Sequence, residues 1–358
     1  MAKLRVALVT PLTGPLALYG RASAAALTLW ANRAAQLPAG FTGVDLDIQD
    51  SGDQRDQMQI ALHRVLDRQP DVLFGPYGSG PMLAVARSCA RLIWNHGGAS
   101  SRLARPAFPQ VMNVLSPATT YFASVLQAIH AADATVSSVS LLHSTTGFGR
   151  DVATGAQSVA ERLQMTLHTI PFTPSHVLEA VGNVPDGDVL LVAGNFADER
   201  AVAPPLRARD WRFSAFVGAG VDEVLIPADT LREGLLGPAQ WMARTALEPD
   251  EGPDVAWFEA QYREATGSEP SYPAAQAFAA GVLYARCLRE AGEIRDKAIQ
   301  IVAQKLRCQT LFGAFQLDPD SGLQIGHQVV IVQWQRGERR VVWPPEQAER
   351  PLMFAPSH

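Results

Sequence analysis

Asp71-Val72-Leu73-Phe74-Gly75-Pro76-Tyr77-Gly78-Ser79-Gly80-Pro81 runs from a short apolar segment into a stretch that can continue neither a strand nor a helix. A buried strand over 71–74 ending in a forced turn is one βα step of a parallel sheet. The same rhythm extends upstream. Residues 4–10 read as a first strand, 16–35 as an alanine-rich helix and 44–49 as a second strand. Residues 54–67 read as a helix whose apolar face carries Met58, Ile60, Leu62, Val65 and Leu66.

Downstream the rhythm restarts near Val136. A strand is expected over 139–143, a turn over 144–149 and a helix over 151–163. Then follow a strand over 188–192, the turn Gly194-Asn195-Phe196, a helix over 197–207, a strand over 213–217 and the turn Gly218-Ala219-Gly220. After Gly237-Pro238 the pattern changes to long helices, 254–266, 273–291 and 297–306. It closes with β-type segments at 313–317, 328–335 and 339–343.

A chain of 358 residues exceeds the size at which one core usually stays undivided, so two α/β lobes are expected. Apolar residues at 47% and charged residues at 18% supply two ordinary cores and argue against a disordered chain. A formal net charge of -5 without a sustained basic run removes the electrostatic footprint of a nucleic-acid binder. No run of about 18 apolar residues is present, so no membrane insertion is expected. The apolar run at 4–10 is too short for the core of a secretion signal, so either a signal has been removed or none existed. Cys89, Cys287 and Cys308 are odd in number and far apart, and read as core thiols.

In open α/β sheets ligands gather beyond the carboxyl ends of the strands, where loops become helix N-termini. That points to 11–20, 75–81, 144–149 and 194–196, with 218–222 as a fifth candidate. Gly78-Ser79-Gly80 suits an anion such as a carboxylate; the plainer reading is a tight turn with Ser79 capping its helix. Ile93-Trp94-Asn95-His96-Gly97-Gly98-Ala99-Ser100-Ser101 packs an aromatic ring, an amide, an imidazole, two glycines and two hydroxyls into one connection. It reads either as a ligand loop or as a glycine turn with a buried tryptophan. Gln240 and Trp241, just after Gly237-Pro238, divide in the same way between ligand wall and core.

No dinucleotide fingerprint, phosphate loop, HExxH or GxSxG is present, and the histidines show no metal spacing. Neither an enzyme nor a cofactor is expected. Asp50 and Asp53, flanking Ser51-Gly52, read as a helix-capping turn.

At these loops the chain resembles the leucine/isoleucine/valine-binding protein family, the amino-acid branch of the class I periplasmic binding proteins of ABC importers. Arg5-Val6-Ala7-Leu8-Val9-Thr10-Pro11-Leu12-Thr13-Gly14-Pro15 and Tyr19-Gly20 are similar to the family opening, whose tyrosine lies near the ligand. Phe74-Gly75-Pro76-Tyr77-Gly78-Ser79 resembles the loop whose serine meets the ligand carboxylate. Gly98-Ala99-Ser100 resembles the neighbouring segment, where a backbone carbonyl and a hydroxyl hold the same end. Thr146-Gly147-Phe148-Gly149 stands where the family has an aromatic-glycine turn. Pro270 to Phe278 and Phe312 to Gly322 are similar to family segments that follow the second crossing and lie near the third.

The resemblance implies a fold of two Rossmann-like α/β lobes, a venus flytrap joined by three crossover segments. One lobe takes 1–117 plus 243–320 and the other 118–240 plus 326–358, with crossings near 115–119, 236–242 and 317–326. Together with the residues singled out above, this gives a small-molecule solute held by Tyr19, Tyr77, Gly78, Ser79, Trp94, Asn95, His96, Ala99 and Ser100 on one side. Phe148, Asn195, Phe196, Gly220, Asp222, Gln240 and Trp241 serve on the other. The family's second-lobe acid, partner of an amino-acid ammonium, falls at Gly220, with Asp222 or Glu223 as substitutes further along. A buried ammonium without an acid is costly, so the solute is expected to be a carboxylate, amino-acid-like or amide-like compound with a flat or apolar body. An importer component would be periplasmic and dock on an ABC permease; the alternative is a cytoplasmic sensor of the same fold.

Overall fold

The computed structural model describes residues 2–33, 37, 40–221 and 231–354. Along the chain the elements begin β1 (Ala2–Thr10), α1 (Ala17–Ala31), β2 (Phe41–Asp50), α2 (Arg55–Asp67), β3 (Val72–Phe74), α3 (Ser79–Ser88), β4 (Ile93–Asn95) and β5 (Val111–Asn113). There follow α4 (Tyr121–Ala132), β6 (Ser138–Ser144), α5 (Gly147–Arg162), β7 (Thr166–Phe172), α6 (Val177–Ala180), β8 (Val189–Ala193), α7 (Phe196–Arg207), β9 (Phe213–Phe216) and β10 (Leu236–Ala239). The chain closes with α8 (Val255–Thr266), α9 (Tyr272–Ala291), α10 (Asp296–Lys305), β11 (Cys308–Thr310), β12 (Gly313–Phe315), β13 (Val330–Gln335) and β14 (Glu338–Trp343). These fall into two compact units, Met1–Ser116 with Ala246–Gln328, and Pro117–Thr245 with Val329–His358.

The first unit is built on a parallel sheet of order β2-β1-β3-β4-β5. Because strand side chains alternate, the odd positions Ala7, Val9, Leu73 and Ile93 pack with Met58, Leu62, Val65, Met82 and Val85 of α2 and α3. The even positions face the other way: Phe74 and Trp94 meet the Tyr284 ring of α9 at 6.3 and 6.0 Å. Gly281 lets α9 approach α1, since a Cβ there would lie 2.5 Å from the Trp30 ring.

The second unit has a seven-stranded sheet of order β14-β13-β10-β9-β8-β6-β7. Its β6 to β10 part is parallel, and β13 and β14 extend it antiparallel.

Several elements differ from the expectations above. Helix α5 starts at Gly147, inside the expected turn, because the Thr146 hydroxyl accepts the Gly149 N–H at 3.1 Å and caps it. Gly237-Pro238, after which the pattern was expected to change to long helices, lies within β10: β9 pairs with β10 through Leu236 alone, so the missing Pro238 N–H breaks no ladder there. Asp50 does not cap α2. Its carboxylate accepts from Leu12 N at 2.8 Å, Thr13 Oγ1 at 2.7 Å and Gly52 N at 2.8 Å, and so pins the β1–α1 loop to β2. The 317–326 segment, expected as a crossing, stays in the first unit. Leu317 bridges Gln324, the Asp318 side chain closes a turn on Ser321, and Gln324 Nε2 donates to Val114 O at 3.1 Å.

Cys89, Cys287 and Cys308 are free, and burial raises all three thiols above their ordinary range. Among the described residues no helix is long and apolar enough to cross a membrane.

Candidate functional site

In the first unit the expected residues converge at the carboxyl ends of β1, β3 and β4. The 75–78 loop is laced to the 94–97 loop by Gly75 N to Trp94 O and Gly78 N to Gly97 O, both 2.9 Å. Gly97 permits this approach, because a Cβ on it would lie 2.5 Å from the Tyr77 Cα. Gly78 sits at φ 104 as the cap of α3, a conformation that disfavours any side chain.

Ser79 opens α3 half-buried, and its hydroxyl takes no hydrogen bond from another described residue. Tyr19 stacks on Tyr77 with centroids 5.0 Å apart, and the Tyr77 and Tyr272 hydroxyls share a 2.7 Å hydrogen bond. Ser100 is buried and its hydroxyl accepts from Arg102 N at 3.3 Å, capping the short helical turn at Ser101–Leu103; Ala99 is buried beside it.

The dense 93–101 stretch divides its labour. Ile93–Asn95 is a strand, and the Asn95 side chain is consumed by its own turn. Asn95 donates to Gly98 O at 2.7 Å and to Asn113 at 2.8 Å, and accepts from Gly98 N at 2.7 Å. Trp94 and His96 are fully buried. Burial holds the His96 imidazole well below its usual range, at about 4, against nearby carbonyls of Gly75 and His96 that favour its charged form without reaching bonding geometry.

The second unit presents its residues on separate loops. Phe148 is half-buried and meets Tyr121 edge-on at 5.8 Å; Gln240 donates to the Tyr121 hydroxyl at 2.9 Å, with Trp241 buried next to it. Asn195 caps α7 by accepting Asp198 N at 2.9 Å, and Phe196 follows half-buried. Gly220 is buried, and a Cβ on it would lie 1.9 Å from the Pro238 carbonyl oxygen. Trp334 Nε1 donates to Ala219 O at 3.0 Å, and the Arg339 guanidinium donates to Gly220 O. Asp222 and Glu223 lie outside the described residues.

Sequence reasoning missed Glu199. Its carboxyl, fully buried, accepts Gly194 N at 3.2 Å and Gly218 N at 2.6 Å, and so staples the β8–α7 loop to the segment after β9. Burial raises it to about 8, beyond what those two donors recover, and Asp198 adds to the rise. The signal was its place in the first turn of α7, which an acid also fills for the helix dipole alone. A groove of about 460 Å³ beside the C-terminal hairpin, lined by Arg232, Met242, Arg244 and Arg339 among others, includes none of the expected residues. Among the described residues no group of three metal-ligating side chains is placed to hold an ion.

Two α/β units with loops of this kind define the type I periplasmic-binding-protein fold. The sequence profile of the periplasmic binding proteins matches residues 3–339, and the chain belongs to that family of solute receptors. It is similar in structure to a leucine-binding protein of Thermotoga maritima, at TM-score 0.81 and 16% identity, covering 94% of this chain and 97% of that one. It is also similar to a solute-binding protein of an R. palustris ABC transporter in complex with benzoate, at TM-score 0.77 and 15% identity over 95% of each chain. A third is a solute-binding protein of Rhodopseudomonas palustris BisB5 in complex with 3,4-dihydroxy benzoic acid, at TM-score 0.76 and 15% identity over 94% of this chain and 95% of that one.

Proposed function

We propose that this chain is the extracytoplasmic receptor of an ABC importer and that its solute is a small carboxylate with a flat, apolar body, an aromatic acid rather than a branched-chain amino acid. The observation that carries this reading is the contrast between Ser79 and Gly220. Ser79 offers an uncommitted hydroxyl at the start of α3, where a helix N-terminus favours an anion. Position 220 has no room for the acid that an ammonium would need. The buried carboxyl of Glu199 is engaged by two backbone N–H groups and does not replace it. Tyr19 and Tyr77, stacked in the first unit, supply rings for an apolar body. Two structural relatives hold benzoate and 3,4-dihydroxy benzoic acid, which agrees with that chemistry. The permease is the partner this role requires.

A thermal-shift screen across aromatic acids, amino acids, small amides and ureas tests the reading. A ligand at 100 times its dissociation constant adds about 2.7 kcal/mol to stability. Aromatic acids are expected to give the hits; a screen in which leucine, isoleucine or valine shifts the transition and aromatic acids do not rejects it. Ser79→Ala is expected to weaken a carboxylate hit by roughly 10- to 100-fold in calorimetry, the worth of a hydrogen bond to a charged group. Unchanged affinity removes Ser79 from the site.

A further inference from the structure

We infer that the groove beside the C-terminal hairpin of the second unit binds a small organic anion carrying two or more negative charges, held by Arg232, Arg244 and Arg339. Its volume of about 460 Å³ falls within the range of small-molecule sites, roughly 300–1,000 Å³. The three arginines line it together with Met242 and Trp334, and Glu338 is the one acid among its lining residues.

Contacts within the unit bring the arginines to one end of the hairpin. Trp334 of β13 and Arg339 of β14 are cross-strand partners. The segment before β10 is bonded to the same strand, Gly234 N to Trp334 O at 2.8 Å and Trp334 N to Leu235 O at 3.0 Å, which brings Arg232 alongside. The Arg232 guanidinium lies over the Trp334 ring, 4.3 Å from its centroid. That ring is pinned by its bond from Nε1 to Ala219 O, so the stack fixes the plane of the guanidinium. Arg244, beyond β10, donates from Nη2 to Arg339 O at 2.6 Å. The Arg339 guanidinium donates to Gly220 O, a neutral partner.

The neighbouring acids are directed to other tasks. Glu338 accepts from Arg340. Glu233 accepts the hairpin amides of Arg336 and Gly337 at 2.7 and 3.2 Å. Glu349 accepts Arg244 Nε at 3.0 Å, but it also takes Val341 N at 2.8 Å and Arg340 at 3.4 Å. The groove wall is therefore positive, three guanidinium groups against Glu338. Planar guanidinium forks match the oxygens of carboxylates and phosphates. A ligand with several anionic oxygens on a short carbon body can engage more than one fork while the body lies against half-buried Met242. None of these lining residues is among those proposed to hold the solute, so the inference does not depend on the solute's identity.

Calorimetric titration of the full chain with citrate, and separately with 3-phosphoglycerate, in low-salt buffer tests the site, with acetate as the monoanion reference. At least one of the two polyanions is expected to bind roughly 10-fold or more tightly than acetate. Arg232→Gln should weaken that probe by roughly 10-fold, as expected for losing a hydrogen bond to a charged group. Met242→Glu, which keeps all three arginines and adds a negative charge to the groove, should weaken it at least as much. Denaturant midpoints close to the parent's show that the variants fold. Binding of both polyanions no tighter than that of acetate, or an affinity unchanged in either folded variant, overturns the inference. A failed screen of aromatic acids would leave these outcomes untouched.

Discussion

Raising the pH from 4.5 to above 8 is expected to remove about 3–5 kcal/mol of stability, and Glu199→Gln to abolish most of that loss. The carboxyl of Glu199 moves from an ordinary value of 4.5 to about 8 in the folded chain. The folded state therefore holds the proton more tightly than the unfolded state. The stabilisation is complete below pH 4.5 and is lost as pH rises through about 8, at ~1.4 kcal/mol for each tenfold difference in proton affinity between the two states. Glutamine keeps one acceptor of two, so the variant should start less stable at pH 5, having lost one of the bonds to Gly194 N and Gly218 N. Its stability should then stay nearly flat through the alkaline range. Denaturant midpoints measured from pH 5 to 9 on both chains check this; parallel curves would show that Glu199 does not titrate in that window.

His96 has the opposite sign. Its folded value of about 4 lies below the ordinary 6.5, so its stabilisation is complete above pH 6.5 and is lost as pH falls through about 4. His96→Gln should flatten the acid limb of the same curve by about 2–3 kcal/mol.

Gly220→Asp is expected to fail as a route to amino-acid binding and to destabilise the chain by about 1–3 kcal/mol or more. It introduces the acid that the resemblance to the amino-acid binders places at this position. The new Cβ would meet the Pro238 carbonyl oxygen at 1.9 Å, which is backbone and cannot rotate away. Gly237 offers no relief, because a Cβ there would lie 2.2 Å from Gly220 N. The carboxylate would also need to be accommodated beside a loop held by Trp334 and Arg339. Chemical denaturation gives the stability, and calorimetry with leucine gives the binding. A variant of parental stability that binds leucine would disprove the steric account.

The fold was legible in the sequence wherever apolar period and turn chemistry agreed. The β3 to α3 step is marked by Val72 to Phe74 followed by Gly75-Pro76, and the structure follows it closely. Very short strands were not legible. Ile93–Asn95 and Val111–Asn113 span three residues each, too few to show a period, and owe their conformation to the neighbours they pair with. Helix α4, Tyr121–Ala132, was given no assignment in the sequence, although a twelve-residue apolar run is long for a strand. In the candidate site, composition located the loops but not the use of each side chain. Asn95 carries the chemistry of a ligand contact and spends it on Gly98 and Asn113, a pairing that depends on β5 lying next to β4. Glu199 gave no distinct signal, because its partners belong to loops that come together only in the folded unit.

The glycines at 97 and 98 bear on how such a receptor acquires new guests. A Cβ at either position would intrude on Tyr77 or Met82, at 2.5 and 2.6 Å. The main-chain frame of the first unit is thus closed to gradual reshaping at these points. On the proposed reading, a change of solute then falls to side chains that project from that frame, such as Ser79, which leaves one rigid mount able to carry many chemistries.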